Sequence, residues 1–495
     1  MKYDIFSTAK HTIIYSLGNI SIKAVGFILL PLYTSHLSVS DFGILGLLEA
    51  FFQFSTTVFS FKLSTAMIRW IASEDSLQKQ KSIIFTALAA TIALVTPIIL
   101  LLNFFRENLS ILFFNSNTYS DYFLIVNATI LSEIILFLIL DIIRIRQKSL
   151  LYLFFTITKV VLNLGIVIYL VKELNMGIKG IIYSQLISSL IVLTISSPVL
   201  LKNINFNFNI KIFKKMFMYG FPLVFSTISS LVLTLADRFY LKAFYSFADV
   251  GIYNLSYKIS SVINLIIIQS FQLGFLPIAY KKYEEGNSKH FFAKILKYYT
   301  SVLMISILSI SYFSKELIIL LSEKEEYYIA YYYVPIIALV FYIKGIHYNF
   351  SLGLHFVKKT QYNTFVVLTG AIINLILNYL LVPLYGIWGA TMASIIASIV
   401  ILLLFYKYSQ KYFKVDYDIL RLFTLTATGI IFILIGYYLN TLSLMYAISL
   451  KLISLVSFIA ALYYLHYFTK DEINEINKTI LKVKGILKRD KVGID

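Results

Sequence analysis

Long apolar segments alternate with short polar ones along the whole chain. A helix needs about 20 predominantly apolar residues to cross the hydrocarbon core of a bilayer, and fourteen segments approach or exceed that length. They are predicted at 13–34, 42–61, 83–102, 120–140, 150–171, 180–200, 217–236, 250–273, 298–314, 329–343, 362–383, 387–406, 422–439 and 444–467. The tenth is the shortest. This pattern predicts an all-α integral membrane protein with 14 transmembrane helices.

The composition agrees with that class. Of the 495 residues, 59% are hydrophobic and only 14% are charged, whereas soluble proteins have about one quarter charged residues. The absence of cysteine excludes disulfide bonds, thiolate metal sites and a cysteine nucleophile. The first apolar run begins near Ile13, is too long for a signal peptide and lacks a small-residue cleavage site, so it is predicted to remain as a helix.

Lysine and arginine are distributed unevenly between alternate loops. If the N-terminus is placed inside, the inner loops hold 32 of them and the outer loops 7, while four lysines fall within spans, which accounts for the total of 43. Basic loops stay on the cytoplasmic side of a membrane, so both termini are predicted to be cytoplasmic. The same bias explains the net charge of +18 without a nucleic-acid partner.

The two halves of the chain share motifs: SDFGI at 40–44 resembles ADVGI at 248–252, and Asn163 with GIKG at 177–180 resembles Asn374 with GIWG at 386–389. Both halves begin on the same predicted side, so we expect parallel repeats, between which a transporter of this kind binds its substrate. This gives an N-terminal lobe of helices 1–6 (1–206), a C-terminal lobe of helices 7–12 (207–412) and the extra helices 13 and 14 (413–468).

The remaining residues, 469–495, are predicted to form a basic amphipathic helix on the inner leaflet. Thr469 and Glu472 have the spacing of an N-terminal capping box. Beyond them, apolar residues recur on one helical face and lysines lie elsewhere, as in helices that rest on a membrane surface. The alternative is a solvated tail.

Several charged residues lie at membrane depth, where a charge is costly and usually has a function or a partner. Lys23 shares a helical face with Asn19, and Lys258 shares one with Asn254. Two lysines that face one cleft would suit an anion such as a diphosphate. Lys159 is a weaker candidate of the same kind. The alternative is that each lysine extends to the membrane surface, or pairs with Glu49 or Asp237 for folding alone.

Glu49 and Asp237 are candidates for ion coupling, because a carboxylate within the membrane can carry a proton or bind a cation. Asp237 also adjoins Arg238, so a local ion pair is the alternative. Glu133 and Asp141 do not align with the polar residues of their helices and are interpreted as structural. No P-loop and no HExxH motif occurs. We therefore expect no catalytic residue, no metal site and no bound cofactor.

Taken together, the motifs resemble a known family. They are LPLY at 30–33, SDFG at 40–43, YGFP at 219–222, Asp237-Arg238, DVGIY at 249–253, Lys258 and LVPLYGIWGA at 381–390. In this order they look like the Wzx-type polysaccharide flippases of the multidrug/oligosaccharidyl-lipid/polysaccharide exporter superfamily. The resemblance implies a MATE-like fold with a cationic central cavity, for which Lys23 and Lys258 are the natural positions. It also implies extra helices that border a groove for a lipid tail.

The function that the resemblance implies is transfer of an undecaprenyl-diphosphate-linked oligosaccharide across the bacterial inner (plasma) membrane by alternating access, for O-antigen or capsule synthesis. Its partners would be the lipid-linked oligosaccharide and membrane lipid, with the polysaccharide polymerase and the chain-length regulator as further candidate partners. Coupling to H⁺, Na⁺ or the membrane potential stays open.

Four other functions are alternatives to this one. A peptidoglycan lipid-precursor flippase is poorly separated from a polysaccharide flippase by sequence. An ion-coupled multidrug exporter would be expected to have an acidic cavity and twelve spans. A polysaccharide polymerase would be expected to carry a large outer loop, and the predicted outer loops are all short. A membrane scaffold without transport activity would leave the aligned polar faces unexplained.

Overall fold

The computed structural model describes residues 14, 18, 21, 25–286, 288–442, 444–469 and 472, without the side chains of 444 and 445. Within these ranges the chain is helical and contains no strand. The helices are α1 Leu30–His36, α2 Val39–Phe59, α3 Leu63–Ala72, α4 Leu77–Phe104, α5 Arg106–Phe114, α6 Ser120–Ile145, α7 Ser149–Ile168, α8 Gly177–Asn203, α9 Ile210–Phe244, α10 Phe247–Ser260, α11 Gln269–Glu284, α12 Lys289–Tyr312, α13 Ser314–Leu321, α14 Val334–Phe356, α15 Gln361–Tyr385, α16 Ile387–Tyr412, α17 Ile419–Leu439 and α18 Leu444–Tyr464.

The helix count agrees with the predicted architecture. In the described ranges, thirteen helices are long and apolar enough to cross a membrane, and the shorter apolar helix Val25–His36 falls in the first predicted span. The predicted boundary of the tenth span was wrong: the helix is Val334–Phe356, not 329–343. Residues Glu325–Tyr332 form a 3₁₀ segment instead. Pro335 lies in the first turn of α14, where its missing N–H costs no hydrogen bond.

The internal repeat is visible in the way corresponding helices begin. The side chains of Ser38 and Ser246 each form a capping box with an aspartate three residues later, which starts α2 and α10. Gly177 is the first residue of α8, and Gly386 directly precedes α16. Their φ angles are +52° and +55°, a conformation that favours glycine. The repeated motifs therefore encode the same local structure in both halves.

Each lobe has its own packed helices. In the first half α6 and α7 both pack against α8, and in the second half α14 and α15 both pack against α16. The helix α9 contacts both halves: it packs on α2, α3 and α4 as well as on α15. A Cβ on Gly220 of α9 would lie only 2.4 Å from the carbonyl oxygen of Phe61, so the two backbones touch there.

The two lobes meet most closely where α2 crosses α10. A Cβ on Gly43 would lie 1.9 Å from the carbonyl oxygen of Phe247, and one on Gly251 would lie 2.1 Å from that of Val39. These distances are far below any permitted contact, so only glycine allows this approach. The crossing involves the first turns of both helices, beside Ser38 and Ser246. We call this end of the molecule the predicted outer face, following the lysine and arginine count.

The extra helices are attached to the C-terminal half. Helix α17 packs on α12, and α18 packs on α17. Lys451 of α18 is fully buried, and its Nζ lies 2.5 Å from Glu316 Oε1 of α13. The Tyr312 hydroxyl contacts Phe432 O and Ser454 Oγ, at 2.9 and 2.8 Å. Lys451 therefore has a structural partner. Of the predicted tail, only Thr469 and Glu472 are described, and they form the expected reciprocal hydrogen bonds.

Candidate functional site

A salt bridge joins the two lobes next to their closest contact. Lys258 Nζ of α10 donates to Glu49 Oε1 of α2 at 2.9 Å. The ammonium also lies 5.3 Å from the ring centre of Phe42 and 5.8 Å from that of Tyr33, within cation–π range. The Glu49 side chain keeps 33% of its surface exposed. The Lys258 side chain keeps 17%, so neither group is fully buried.

Glu49 also lines a cavity of about 220 Å³ in the N-terminal lobe. Its polar lining combines two carboxylates, one ammonium group, two amides and one phenol, and the remaining lining residues are apolar. The polar members are Tyr33, Glu49, Glu133, Lys159, Asn163 and Gln185. A cavity with charges of both signs and amides can replace water around a polar solute at membrane depth.

Glu133 is the most buried charge in this cavity. Its Oε1 accepts hydrogen bonds from Lys159 and from Ser189, while its Oε2 has no hydrogen-bond partner among the described residues. Glu133 is 3% exposed. The pairing with Lys159 supports the structural interpretation of Glu133, although this residue also forms part of the cavity lining. Sequence periodicity missed it because its partners lie on α7 and α8, not on its own helix α6.

Asp237 lies in a different, buried network within the C-terminal lobe. Its Oδ1 accepts from Asn378 at 2.8 Å, and its Oδ2 accepts from Ser394 at 2.8 Å and from the Tyr253 hydroxyl. Asn374 joins the network by donating to Ser394 at 3.3 Å. The corresponding bond in the other lobe, from Asn163 to Ser184, also measures 3.3 Å. The repeat therefore builds an asparagine–serine contact beside a buried carboxylate in the second half and beside the polar cavity in the first.

Arg238 points away from its neighbour Asp237. Its guanidinium donates to Asn254 Oδ1 at 3.2 and 3.1 Å and to Thr234 O at 2.8 Å. It also lies 4.7 Å from the ring centre of Tyr257. No ion pair between Asp237 and Arg238 occurs among the described contacts. The alternative prediction, a local ion pair between Asp237 and Arg238, is therefore not seen in this conformation.

The structure separates the predicted site residues into two groups. Glu49 and Lys159 line the same cavity, and Lys258 contacts it through Glu49. Asp237 and Asn254 belong to the buried contacts around α9 and α10, and both are 1% exposed. Asn19 and Lys23 lie outside the described residues. Within the described ranges, no group of three or more histidine, aspartate or glutamate side chains is arranged to hold a metal ion.

The predicted outer face is closed by contacts between the lobes. Lys324 Nζ donates to Leu37 O at 2.7 Å, and the Tyr327 hydroxyl donates to Ser38 O at 3.0 Å. The Tyr327 ring meets Phe42 edge to face, with ring centres 5.9 Å apart. Together with the glycine crossing, these contacts connect the two halves on this side. Any separation of the halves here requires these contacts to break.

Comparison with known proteins agrees with this architecture. The family model described as polysaccharide biosynthesis protein matches residues 8–281. No curated protein sequence matches the chain. Among solved structures, the lipid II flippase MurJ in an inward closed conformation is similar at a TM-score of 0.74 and 16% identity, over 91% of this chain and 99% of that one.

A multidrug resistance MATE family transporter of the MOP superfamily is also similar. Its inward-facing conformation gives a TM-score of 0.66 at 12% identity, over 79% of this chain and 94% of that one. Its outward-facing conformation gives 0.60 at 13% identity, over 81% and 95%. At these sequence identities, the similarity shows a shared fold alone. With the family match covering more than half of the sequence, the chain belongs to the polysaccharide biosynthesis protein family.

Proposed function

We propose that this chain moves an undecaprenyl-diphosphate-linked oligosaccharide from the cytoplasmic to the outer leaflet of the bacterial plasma membrane, for the synthesis of a surface polysaccharide such as O-antigen or capsule. The observation that carries the proposal is the pairing of Lys258 with Glu49 between the lobes. An anionic substrate group can take the place of the Glu49 carboxylate on Lys258. Lys23, which is predicted to face the same cleft, would add a second cation.

Such a site suits the transfer of a sugar diphosphate across a membrane, because that transfer costs the headgroup its water. The charges and hydroxyl groups of a sugar diphosphate lose their water if they enter about 30 Å of hydrocarbon unaided. Lysines can hold the diphosphate, while Lys159, Asn163 and Gln185 offer hydrogen bonds to sugar groups. The polyprenyl chain is apolar and stays in lipid, next to the groove expected beside the extra helices.

Alternating access follows from the repeat and from the closed face. Two parallel lobes related by an axis along the membrane normal can rock against each other around a site at their interface. We assign the present conformation to the inward side of such a cycle; the close contacts at Gly43 and Gly251, on the predicted outer face, support this assignment if both termini are cytoplasmic. Glu49 and Asp237 are the candidates for coupling to H⁺ or Na⁺. The membrane potential is a third source of energy, and a polymerase and a chain-length regulator are candidate partners.

Two alternatives have support from the similar structures. The likeness to MurJ favours a peptidoglycan lipid-precursor flippase, and the likeness to MATE transporters favours an ion-coupled multidrug exporter. A precursor flippase would be required for growth, whereas a polysaccharide flippase would be required for surface polymer. A drug exporter would change drug resistance and leave both unaffected.

Complementation tests the proposal. The gene is deleted and restored as wild type, Lys23→Ala, Lys258→Ala or Lys258→Arg, and Lys79→Ala serves as the control because its side chain is 70% exposed. We expect Lys23→Ala and Lys258→Ala to reach the membrane normally, to reduce surface polymer and to leave lipid-linked repeat units on the inner side. If deletion leaves surface polymer unchanged in a strain without a second flippase, the proposed function is wrong.

A further inference from the structure

A second cavity, of about 350 Å³, lies at the predicted inner face of the N-terminal lobe. It shares no lining residue with the cavity of Glu49 and Lys159. Hydroxyl side chains supply much of its polar surface, together with two cations and one carboxylate. The polar lining consists of Thr56, Thr57, Ser60, Lys62, Ser64, Thr65, Thr91, Asp141, Arg144 and Tyr152.

The charges of this cavity do not cancel. Arg144 pairs with Asp141, with Nη2 and Oδ1 2.9 Å apart, and Ser64 also donates to that carboxylate. Lys62 is only partly exposed, and its ammonium group makes no hydrogen bond or ion pair with any described residue. One positive charge therefore remains uncompensated in the cavity. An anion is the ligand that would compensate it.

The backbone holds Lys62 at the cavity in an unusual conformation. Phe61 and Lys62 have φ of 45° and 53°, in the left-handed region that residues other than glycine rarely adopt. Gly220 of α9 fixes this turn from outside, because a Cβ there would lie 2.4 Å from Phe61 O. Strained turns of this kind persist when their surroundings determine them, and they are concentrated at ligand sites.

Further hydrogen-bond donors are available for an oxyanion. The hydroxyl groups of Thr56, Ser60 and Thr91 donate to carbonyl groups of their own helices. Those of Thr57 and Thr65 have no partner among the described residues. Together with the three N–H groups of Lys62, they match the several acceptor oxygens of a phosphate group.

We propose that the Lys62 cavity binds a phosphate group at the predicted inner face, separately from Lys258. That this group is the diphosphate of the transported lipid rests on the function proposed above. On that basis the cavity is an entry site, where the headgroup is held before it reaches the lobe interface. A free phosphate anion or a phospholipid headgroup presents the same chemistry.

The test measures ligand binding to the purified full chain in detergent. Inorganic pyrophosphate, undecaprenyl diphosphate and phosphatidylglycerol are each titrated against wild type, Lys62→Asn, Lys62→Arg and Lys79→Ala. Asparagine tolerates the left-handed conformation better than lysine does, so Lys62→Asn is expected to fold. Arg144→Gln provides a second variant, because it leaves the Asp141 charge free to neutralise Lys62. A size-exclusion profile verifies that each variant is folded.

We expect Lys62→Asn to weaken pyrophosphate and undecaprenyl diphosphate about tenfold, as loss of one charged hydrogen-bond donor does. Lys62→Arg and Lys79→Ala should bind like wild type. A loss confined to pyrophosphate supports the phosphate site but overturns its assignment to a lipid, and an equal loss for phosphatidylglycerol overturns its assignment to the substrate. Binding that does not depend on Lys62 for any probe overturns the site itself.

These outcomes are separate from the test of the proposed function. Binding is measured without transport, so a Lys62-dependent phosphate site can stand even if complementation shows that the chain does not export polysaccharide. Conversely, loss of export in Lys258→Ala with Lys62-independent binding would leave the proposed function in place and remove only the entry site.

Discussion

Lys258 and Glu49 are 209 residues apart in the chain, and their charged groups lie 2.9 Å apart between α10 and α2. The two helices belong to different lobes and touch closely in their first turns, at Gly251 and Gly43. If the lobes separate at the predicted outer face, this ion pair must lengthen or break. The pair therefore links the candidate substrate site to the conformation of the lobes.

Exchanging the charges of Glu49 and Lys258 distinguishes a role of this pair in protein stability from a role in substrate binding. We expect Glu49→Lys and Lys258→Glu each to lower the melting temperature, because each places two like charges side by side, and the double variant to recover it. The coupling energy should be about 0.5–3 kcal/mol, the range for contacting residues. Export should stay low in the double variant, because its cation has moved to α2. Thermal unfolding of purified protein and the surface-polymer assay provide the two measurements. Full recovery of export would contradict a substrate-binding role for Lys258.

Gly43 should control closure of the predicted outer face. Gly43→Ala places a methyl group against Phe247 O and should hold α2 and α10 apart. Because the chain has no cysteine, a single Leu37→Cys substitution reports access to this face, where Leu37 is 1% exposed. We expect maleimide labelling of that cysteine to rise several-fold in Gly43→Ala. Gly165→Ala is the matched control, since nothing lies within 4 Å of its added methyl. Equal labelling in both variants would show that the crossing does not determine closure.

The pair of Glu133 and Lys159 should behave as a buried ion pair. Removing one partner leaves an uncompensated charge, so Glu133→Leu or Lys159→Met alone should destabilise the protein by about 3–5 kcal/mol. The double variant should be close to wild type in stability, because two apolar residues replace both charges. Thermal or denaturant unfolding measures the difference, with Lys79→Ala as the control. Export that also recovers in the double variant would mean that these charges serve folding alone.

Asp237 provides a test of ion coupling. Asp237→Asn removes the charge and places an amide N–H group near the donors Asn378, Ser394 and Tyr253. We expect about 1–3 kcal/mol of destabilisation from the unsatisfied contact. In vesicles, transport by this variant should no longer respond to an imposed H⁺ or Na⁺ gradient. Tyr253→Phe, which removes one donor and keeps the carboxylate, should keep the response. A normal gradient response in Asp237→Asn would exclude Asp237 as the coupling group.

Glu472 makes the attachment of the C-terminal segment sensitive to acid. Burial raises the pKa of this carboxyl, but hydrogen bonds from Lys297 at 2.6 Å and from the Thr469 N–H at 2.8 Å outweigh it and lower the pKa below its usual value. A lowered pKa contributes stability above the pKa of the unfolded chain, and that contribution is lost as the pH falls through the folded value. We therefore expect hydrogen exchange in residues 461–469 to increase below about pH 4.

Glu472→Gln tests the same contact at neutral pH. The neutral side chain cannot form the ion pair with Lys297, so exchange in residues 461–469 should already be increased at pH 7. Glu285→Gln is a suitable control, because the partner of Glu285 among the described residues is Lys282 on the surface. Exchange that is unchanged in Glu472→Gln would mean that other contacts, such as Tyr467 with Ser301 at 3.2 Å, hold the segment.

Local features of the fold were predictable where neighbours in the sequence determine them. The capping residue Thr469 and the start of α10 near Asp249 follow from short spacings, and the helices follow from continuous apolar runs. The tenth span was predicted to begin at residue 329 because residues 329–332 are apolar enough for a helix, yet they belong to the 3₁₀ segment Glu325–Tyr332, in which Tyr327 contacts Ser38. That contact joins residues far apart in the chain, and periodicity carries no information about it.

In the candidate site, too, the sequence predicts the local arrangement of residues but not their contacts with distant parts of the chain. Lys258 and Asn254 share one helical face, but Asn254 binds Arg238 while Lys258 binds Glu49. Glu133 appeared isolated on its own helix, and its partner Lys159 comes from the next helix. A helical face specifies which residues point in similar directions, but it does not specify the neighbouring helix that each one meets.

By itself, the sequence determined the membrane class, the approximate helices and the repeat, because each depends on hydrophobicity or on motifs within a short segment. The positive-inside count predicted the orientation in the same way. Only the tertiary structure decided which charges pair, since Glu49 with Lys258 and Glu133 with Lys159 are contacts between helices. It also decided that the Lys62 ammonium group has no partner among the described residues around its cavity. The physical reason is that the energy of a charge at membrane depth depends on what lies within a few ångströms of it, and those neighbours come from distant parts of the chain.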